Sequence, residues 1–173
     1  CRKRDYRKVM GEKMRIEEKI IEMGLELPAA PVPVGAYIPV QISGNVAYLS
    51  GQTSRINGVR RYVGKVGDTV SEEEAYLSAR DACLNCLAAL KAAVGDLDLV
   101  EKTLKIVGFV NSAPGFNQQP KAINGASDLL YELYGENGRH ARSAVGVQEL
   151  PFNASVELEM IIELKPEWRK KPD

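Results

Sequence analysis

Two charged side chains in the last third of the chain have the residue types and the spacing to form a small-molecule site. Arg142 and Glu157 lie in RHARSAVGVQELPFNASVELEMIIEL, residues 139–164, where two runs with strand character flank a turn that contains a proline. A guanidinium offers a planar fork that matches a carboxylate, and a carboxylate nearby can position or activate a water molecule. If the two strands form a hairpin across QELPFNAS, the two positions lie nearly opposite one another. An exposed cross-strand ion pair, worth under about 1 kcal/mol, is the alternative explanation.

The other candidate side chains fit structural or solvated roles better. His140 is the one histidine, and no candidate nucleophile is fixed beside it in its loop, GENGRHAR. Cys83 and Cys86 fall on the apolar face of a predicted helix, and no second cysteine or histidine pair completes four zinc ligands. Glu159 and Glu163 alternate onto the polar face of the last strand. The sequence contains neither G-x-G-x-x-G nor a Walker loop, so no motif supports binding of nucleotide phosphates.

Composition indicates an ordinary globular domain. The chain has 173 residues, of which 45% are hydrophobic and 27% charged, and its formal net charge is zero. Balanced charge argues against a broad basic surface for nucleic acid, and no apolar run reaches the roughly 18 residues of a membrane span. Three cysteines do not form a disulfide framework, which favours a cytoplasmic setting.

Two long helices and at least five strands are predicted along the chain. The first helix begins at Ser71, where Ser-Glu-Glu-Glu forms a capping box, and ends at Gly95. The second runs from about Gln118 to Tyr134, and its Asn124-Gly125 pair indicates close packing or a function, since glycine costs a helix about 1 kcal/mol. A short amphipathic helix is also predicted at residues 14–24, with four apolar side chains at near-helical spacing: Ile16, Ile20, Ile21 and Met23.

The strand pattern predicts an α+β fold with both helices on one face of a sheet, in the order β-β-α-β-α-β-β. The first strands are predicted at Tyr37–Ile42 and Val46–Ser50, and the third at Leu104–Val110. The third is apolar on both faces except at Lys105, so we expect helices on one side and another sheet or subunit on the other. The pattern divides the chain into a loose basic extension (1–13), a short helix with a proline-rich lead-in (14–33), one domain (34–165) and a polar tail (166–173).

Several motifs together resemble the reactive-intermediate deaminase family, also called the L-PSP endoribonuclease-like family. They are GAYIPV, LSGQ, TLKIVGFVNS and ARSAVGVQELPFNASVELE, and the resemblance covers roughly residues 25–165. It implies a fold similar to chorismate mutase and a homotrimer whose sheets face inward as a barrel, with three pockets at subunit interfaces. It also implies hydrolysis of reactive enamines and imines, such as 2-aminoacrylate, to 2-keto acids and ammonia without a cofactor.

The resemblance assigns roles to residues of this chain. Arg142 corresponds to the arginine that grips the substrate carboxylate, and Glu157 to the glutamate that positions the hydrolytic water. Tyr37, Ser50 and Gly51 correspond to residues that line the pocket.

Two further positions are carried over from the same resemblance. Ala144 stands where the family often has cysteine, and its backbone can still contact the substrate. Asn124 corresponds to a pocket asparagine.

Three functions from different classes remain at this stage. The first is a homotrimeric enamine/imine deaminase acting on a small imino acid. The second is a non-catalytic protein that binds a keto acid or amino acid through Arg142. The third is an RNA-directed activity, against which the balanced charge and the few candidate exposed aromatic residues count.

Overall fold

A five-stranded mixed sheet organises the chain in the computed structural model, which describes residues 15–32 and 35–170. The sheet contains β1 (Val40–Ser43), β2 (Val46–Thr53), β5 (Val100–Asn111), β6 (Ala141–Val147) and β7 (Val156–Leu164). Their spatial order is β1-β2-β7-β5-β6, in which only β5 and β6 run parallel. Strands β3 (Arg55–Ile56) and β4 (Val59–Arg60) form a separate two-stranded ribbon. The predicted extension, residues 1–13, and the end of the predicted tail lie outside the described residues.

Three α-helices accompany the sheet in the described part of the chain: α1 (Ile16–Glu22), α2 (Glu72–Val94) and α3 (Gln119–Tyr134). The predicted capping box is present, because Glu74 N donates to Ser71 Oγ (3.1 Å) and Ser71 N donates to a Glu74 carboxylate oxygen (2.9 Å). Gly95 ends α2 with φ 84°, a left-handed conformation that glycine adopts without strain. None of the helices formed by the described residues is long and apolar enough to cross a membrane.

The core lies between the helices and one face of the sheet. Alternate residues of β7 are buried there: Val156, Leu158, Met160, Ile162 and Leu164. No helix formed by residues 15–32 or 35–170 covers the other face of the sheet, which exposes large side chains such as Tyr48 at 48%. In α1, only Ile16 and Ile20 of the four predicted apolar contacts are buried, while Ile21 is 71% exposed. The predicted two-helix layer is therefore correct, with α1 added to it.

The glycine in α3 marks a close approach between helices. A Cβ at Gly125 would overlap the backbone carbonyl oxygen of Tyr76 in α2. The predicted close packing is confirmed, and α2 and α3 can approach to this distance only while position 125 has no side chain.

We expect Gly125→Ala to destabilise the protein by about 1–3 kcal/mol because the helices must move apart. Helix propensity alone predicts a gain of about 1 kcal/mol, so the sign of the change distinguishes the two effects. Urea unfolding measures it, with Lys121→Ala on the exposed side of α3 as the control. A stabilised Gly125→Ala variant would contradict the close-approach interpretation.

The last two strands do not form the predicted hairpin. Strand β5 lies between β6 and β7, pairing with β6 in parallel and with β7 in antiparallel register. Helix α3 connects β5 to β6, and a strand-helix-strand unit places its two strands side by side and parallel. Strand β6 therefore occupies one edge of β5, and the chain passes over the end of β5 before it returns as β7.

Candidate functional site

Four of the residues assigned by resemblance line one cavity of about 750 Å³. They are Tyr37, Ser50, Gly51 and Glu157, here called the glutamate half-site. Tyr37 lies before β1 rather than inside the predicted strand, because β1 begins at Val40 after Pro39. Ser50 Oγ donates to the carbonyl oxygen of Ile38 (2.8 Å), and this bond holds the segment that carries Tyr37 against β2.

A bulge in β2 brings the backbone close to Glu157. The register between β2 and β7 shifts between Leu49 and Gln52, at Ser50-Gly51. A Cβ at Gly51 would overlap Oε1 of Glu157 and lie 2.9 Å from its Cδ. Glycines at bulges commonly permit such close approach, so the carboxylate lies directly against the main chain of β2.

The surroundings of the Glu157 carboxyl group disfavour its ionised form. It lies half-buried on the helix-free face of the sheet, opposite Thr53 and Phe109 on the neighbouring strands. Burial raises the pKa of this carboxyl above its ordinary value, and the charge of Glu159 raises it further. Among the described residues, no ion pair or hydrogen bond involves the Glu157 side chain. The group can therefore accept hydrogen bonds from water or a ligand.

The other three assigned residues gather elsewhere and are here called the arginine half-site: Asn124, Arg142 and Ala144. Arg142 Nη1 donates to Asn124 Oδ1 (2.8 Å) and to Ser127 Oγ (3.1 Å), both on α3. These bonds fix one end of the guanidinium while its side chain remains exposed. Ala144 follows two residues later on the same strand, so it shares the face of β6 that carries Arg142.

The two half-sites do not meet within one chain. Arg142 pairs with Ile106 on β5, and Ile106 pairs with Met160 on β7, three residues from Glu157. Two strand spacings and three residues of rise separate the Cα atoms of Arg142 and Glu157 by about 14 Å. Their side chains also leave opposite faces of the sheet. The predicted opposition of Arg142 and Glu157 is wrong, and so is the alternative of a cross-strand ion pair.

Sequence reasoning missed several residues that complete the cavity. The proline-rich lead-in forms part of its wall through residues 28–32, and the β3–β4 ribbon contributes Arg55 and Arg60. The guanidinium carbon of Arg60 lies 3.6 Å from the ring centroid of Phe152. The Asn57-Gly58 turn between two arginine-bearing strands was the available signal for the ribbon, but nothing local connected it with Glu157.

The remaining candidates of the sequence lie outside the cavity. Cys83 and Cys86 are fully buried, and burial raises the pKa of Cys83 to about 12, so these thiols are core groups. Burial lowers the pKa of His140, whose Nδ1 lies 3.1 Å from the carbonyl oxygen of Ala141. In the hydrogen bonds of the described residues, neither the two cysteines nor His140 contacts a residue of either half-site.

One group of carboxylates in the described part of the chain has the spacing of metal ligands: Glu17, Asp96 and Asp98. Cationic side chains already pair with it, because Arg15 lies 2.7 Å from Asp96 and Lys91 lies 3.3 Å from Glu17. These salt bridges join α1 to the end of α2 and account for the acidic group without a metal ion.

A mixed sheet with its helices on one face defines a chorismate-mutase-like fold, and a glycine-backed glutamate lies in a cavity beside that sheet. The family model described as "YjgF/chorismate_mutase-like, putative endoribonuclease" matches residues 17–164. The chain belongs to this family, which is the reactive-intermediate deaminase family of the resemblance.

Similar proteins include one of unknown function and one named for an activity. The crystal structure of Atu1372 from Agrobacterium tumefaciens, a protein of unknown function, is 44% identical with a TM-score of 0.82, covering 87% of this chain and 92% of that one. Protein TCP17 of Trypanosoma cruzi is 39% identical over 87% of this chain and 94% of its own length. A protein of Dermatophagoides farinae named 2-iminobutanoate/2-iminopropanoate deaminase is 30% identical over 80% of this chain and 93% of its own.

Proposed function

We propose that this protein hydrolyses enamine and imine forms of 2-amino acids to 2-keto acids and ammonia. We also propose that it acts as a homotrimer in which each site combines the glutamate half-site of one subunit with the arginine half-site of the next. No cofactor enters this reaction. The name of the mite relative, at 30% identity, supports the reaction class.

The observation that carries the proposal is the separation of two incomplete half-sites. A half-buried carboxylate without a partner lines a cavity, while an arginine braced by Asn124 and Ser127 stands at the edge strand β6. Each half-site lacks the charged group that the other supplies, and the side chains of Arg142 and Glu157 project from opposite faces of one sheet. A neighbouring copy that covers the helix-free face could bring its own arginine to this cavity.

The chemistry required matches these groups. An imine hydrolyses when water adds to its C2 carbon, a proton reaches the nitrogen, and the carbinolamine expels ammonia. Arg142 would bind the C1 carboxylate through its free edge, and Glu157 would accept a hydrogen bond from the attacking water and take its proton. Because positioning supplies much of the acceleration in such a reaction, a cavity that fixes substrate and water is sufficient.

The proposal is tested with an imino acid that an amino-acid oxidase generates in situ. Hydrolysis is measured as keto-acid formation, in competition with semicarbazide, which traps the imine that has not been hydrolysed. We expect the wild-type protein to accelerate hydrolysis. Arg142→Ala should reduce the rate about 100-fold and so remove most of that acceleration. Arg139→Ala is the matched control, because Arg139 is exposed and its one ion pair with another described residue is with Glu136 at 3.4 Å.

Two outcomes would contradict the proposal. A wild-type rate equal to the blank without protein would exclude the deaminase, and thermal stabilisation by keto acids without turnover would then indicate a ligand-binding protein. A monomeric mass in solution would remove the shared site.

A further inference from the structure

The cavity beside Glu157 is lined by two arginines that the proposed reaction does not use, Arg55 and Arg60. Arg60 of the β3–β4 ribbon lines the cavity, and its pair partner Arg55 lies two residues beyond Thr53, which pairs with Glu157. The ribbon therefore places Arg60 within a few residue spacings of Glu157, about 16 Å along the backbone path. The two side chains form no ion pair with each other in the described structure.

Arg60 is held in place, and the described part of the chain provides no counter-ion for it. Its guanidinium stacks on Phe152, with 3.6 Å between the guanidinium carbon and the ring centroid. Its Nε is buried and has no hydrogen-bond partner. No acidic side chain within the described residues pairs with it, whereas Arg61, the next residue, lies 3.2 Å from Asp81. The stacked guanidinium has therefore already lost part of its hydration.

The backbone of the loop that carries Phe152 supports this arrangement. Phe152 and Asn153 have φ values of 58° and 57°, in the left-handed region that residues with a side chain rarely adopt. Phe152 is 72% exposed, so burial of its ring does not explain this conformation. The strained turn holds an aromatic ring under the arginine, and strain of this kind gathers at binding sites.

Arg55 is less suited to the same role. Its Nε donates to the carbonyl oxygen of Gly58 (3.2 Å) within the ribbon turn, and the residue is exposed. Arg60 is the partly buried cation of the ribbon, and no hydrogen bond or ion pair among the described residues involves its Nη groups. A planar guanidinium with unpaired donors binds a carboxylate with two parallel hydrogen bonds, and it is pre-organised because its position is fixed before the ligand arrives.

We propose that Arg60 binds a second acidic group of the substrate, so that the site prefers imines of dicarboxylic 2-amino acids over imines with an uncharged side chain. The inference rests on the proposed function, with Arg142 of a neighbouring copy at the C1 carboxylate and Arg60 at the side-chain carboxylate. Hydrolysis itself is unchanged: water adds to C2 and ammonia leaves.

The test compares substrates that match in length and differ in one terminal group. Imines of glutamate and norvaline are generated in situ, and the ratio of their kcat/KM values is measured. We expect the wild-type ratio to favour the glutamate imine by at least about tenfold, and Arg60→Gln to lower that ratio about 10- to 100-fold, as expected for a charged hydrogen bond. Arg60→Lys, which keeps the charge and loses the fork, should restore part of the ratio, and Arg139→Gln should leave it unchanged.

A binding measurement separates failure of this inference from failure of the proposed function. Affinities for 2-oxoglutarate and 2-oxopentanoate, which differ only in the terminal carboxylate, are measured by calorimetry for the wild-type protein and Arg60→Gln. Preference for 2-oxoglutarate that disappears in Arg60→Gln supports the inference even if no imine is hydrolysed. Equal affinities in the wild-type protein, or an equal loss of both ligands in Arg60→Gln, would overturn it and would identify Arg60 as a support for the Phe152 loop.

Discussion

Glu157→Gln is expected to lower imine hydrolysis by at least about 100-fold, the usual contribution of a positioned general base. Glutamine keeps the size of the side chain and can still touch water, but its amide cannot take the proton of the attacking molecule. Since the carboxylate lies against Gly51 and has no partner within the described chain, the substitution disturbs no ion pair. The rate is measured by keto-acid formation from an imine generated in situ.

The control for this variant is Glu159→Gln, on the same strand and the same face. Because Glu159 raises the pKa of Glu157 by charge repulsion, its removal should lower that pKa. Activity requires the ionised carboxylate and falls as pH drops through the raised pKa, so Glu159→Gln should shift the acid limb of the pH profile to lower pH. If Glu157→Gln retained wild-type activity, Glu157 could not be the base.

Glu157→Gln, which should lower activity, is expected to raise the stability of the protein. The folded protein binds the Glu157 proton more tightly than the unfolded chain does, because burial raises the pKa. The stability from this proton is fully present below the ordinary pKa and is lost as pH rises through the raised pKa. Above the raised pKa, where the wild-type group is ionised, Glu157→Gln should therefore unfold at a higher urea concentration than the wild-type protein.

Co-expression of two inactive variants should restore activity. In a trimer assembled at random from Arg142→Ala and Glu157→Gln chains, about one quarter of the interfaces would combine an intact Glu157 with an intact Arg142 from the neighbour. Each variant alone has no complete site, and every trimer that contains both chains has one complete interface out of three, so the purified mixed assemblies should recover about a third of the wild-type rate. The two chains carry different affinity tags, and the doubly tagged assemblies are purified and assayed.

Two differently tagged copies of Arg142→Ala form the matched control and should remain inactive. Absence of recovery in verified mixed assemblies would show that the half-sites do not join across an interface.

Local patterns in the sequence predicted the elements well. The capping box at Ser71, the stop at Gly95 and the packed glycine at Gly125 each depend on a few neighbouring residues, and each is present. The alternation along β7 likewise predicted which side chains are buried, because one face of that strand meets the helices.

Relations between distant segments were harder to predict. A hairpin between β6 and β7 was expected because the two runs are adjacent in sequence, although the helix between β5 and β6 already required those two strands to pair. The cavity wall depended on the proline-rich lead-in and on the β3–β4 ribbon, whose two-residue strands show no usable periodicity. Arg60 and Phe152 are about ninety residues apart, and no pattern in the sequence joins them.

The outward placement of the two half-sites has a consequence for how this protein would work at different concentrations. A lone chain keeps a complete core between its helices and its sheet, but it holds only separated parts of two sites. In the proposed assembly, catalytic capacity would then follow mass action: dilution would remove active sites while leaving every subunit folded. Abundance of the chain would set not only how many sites exist but also what fraction of the subunits contributes to one.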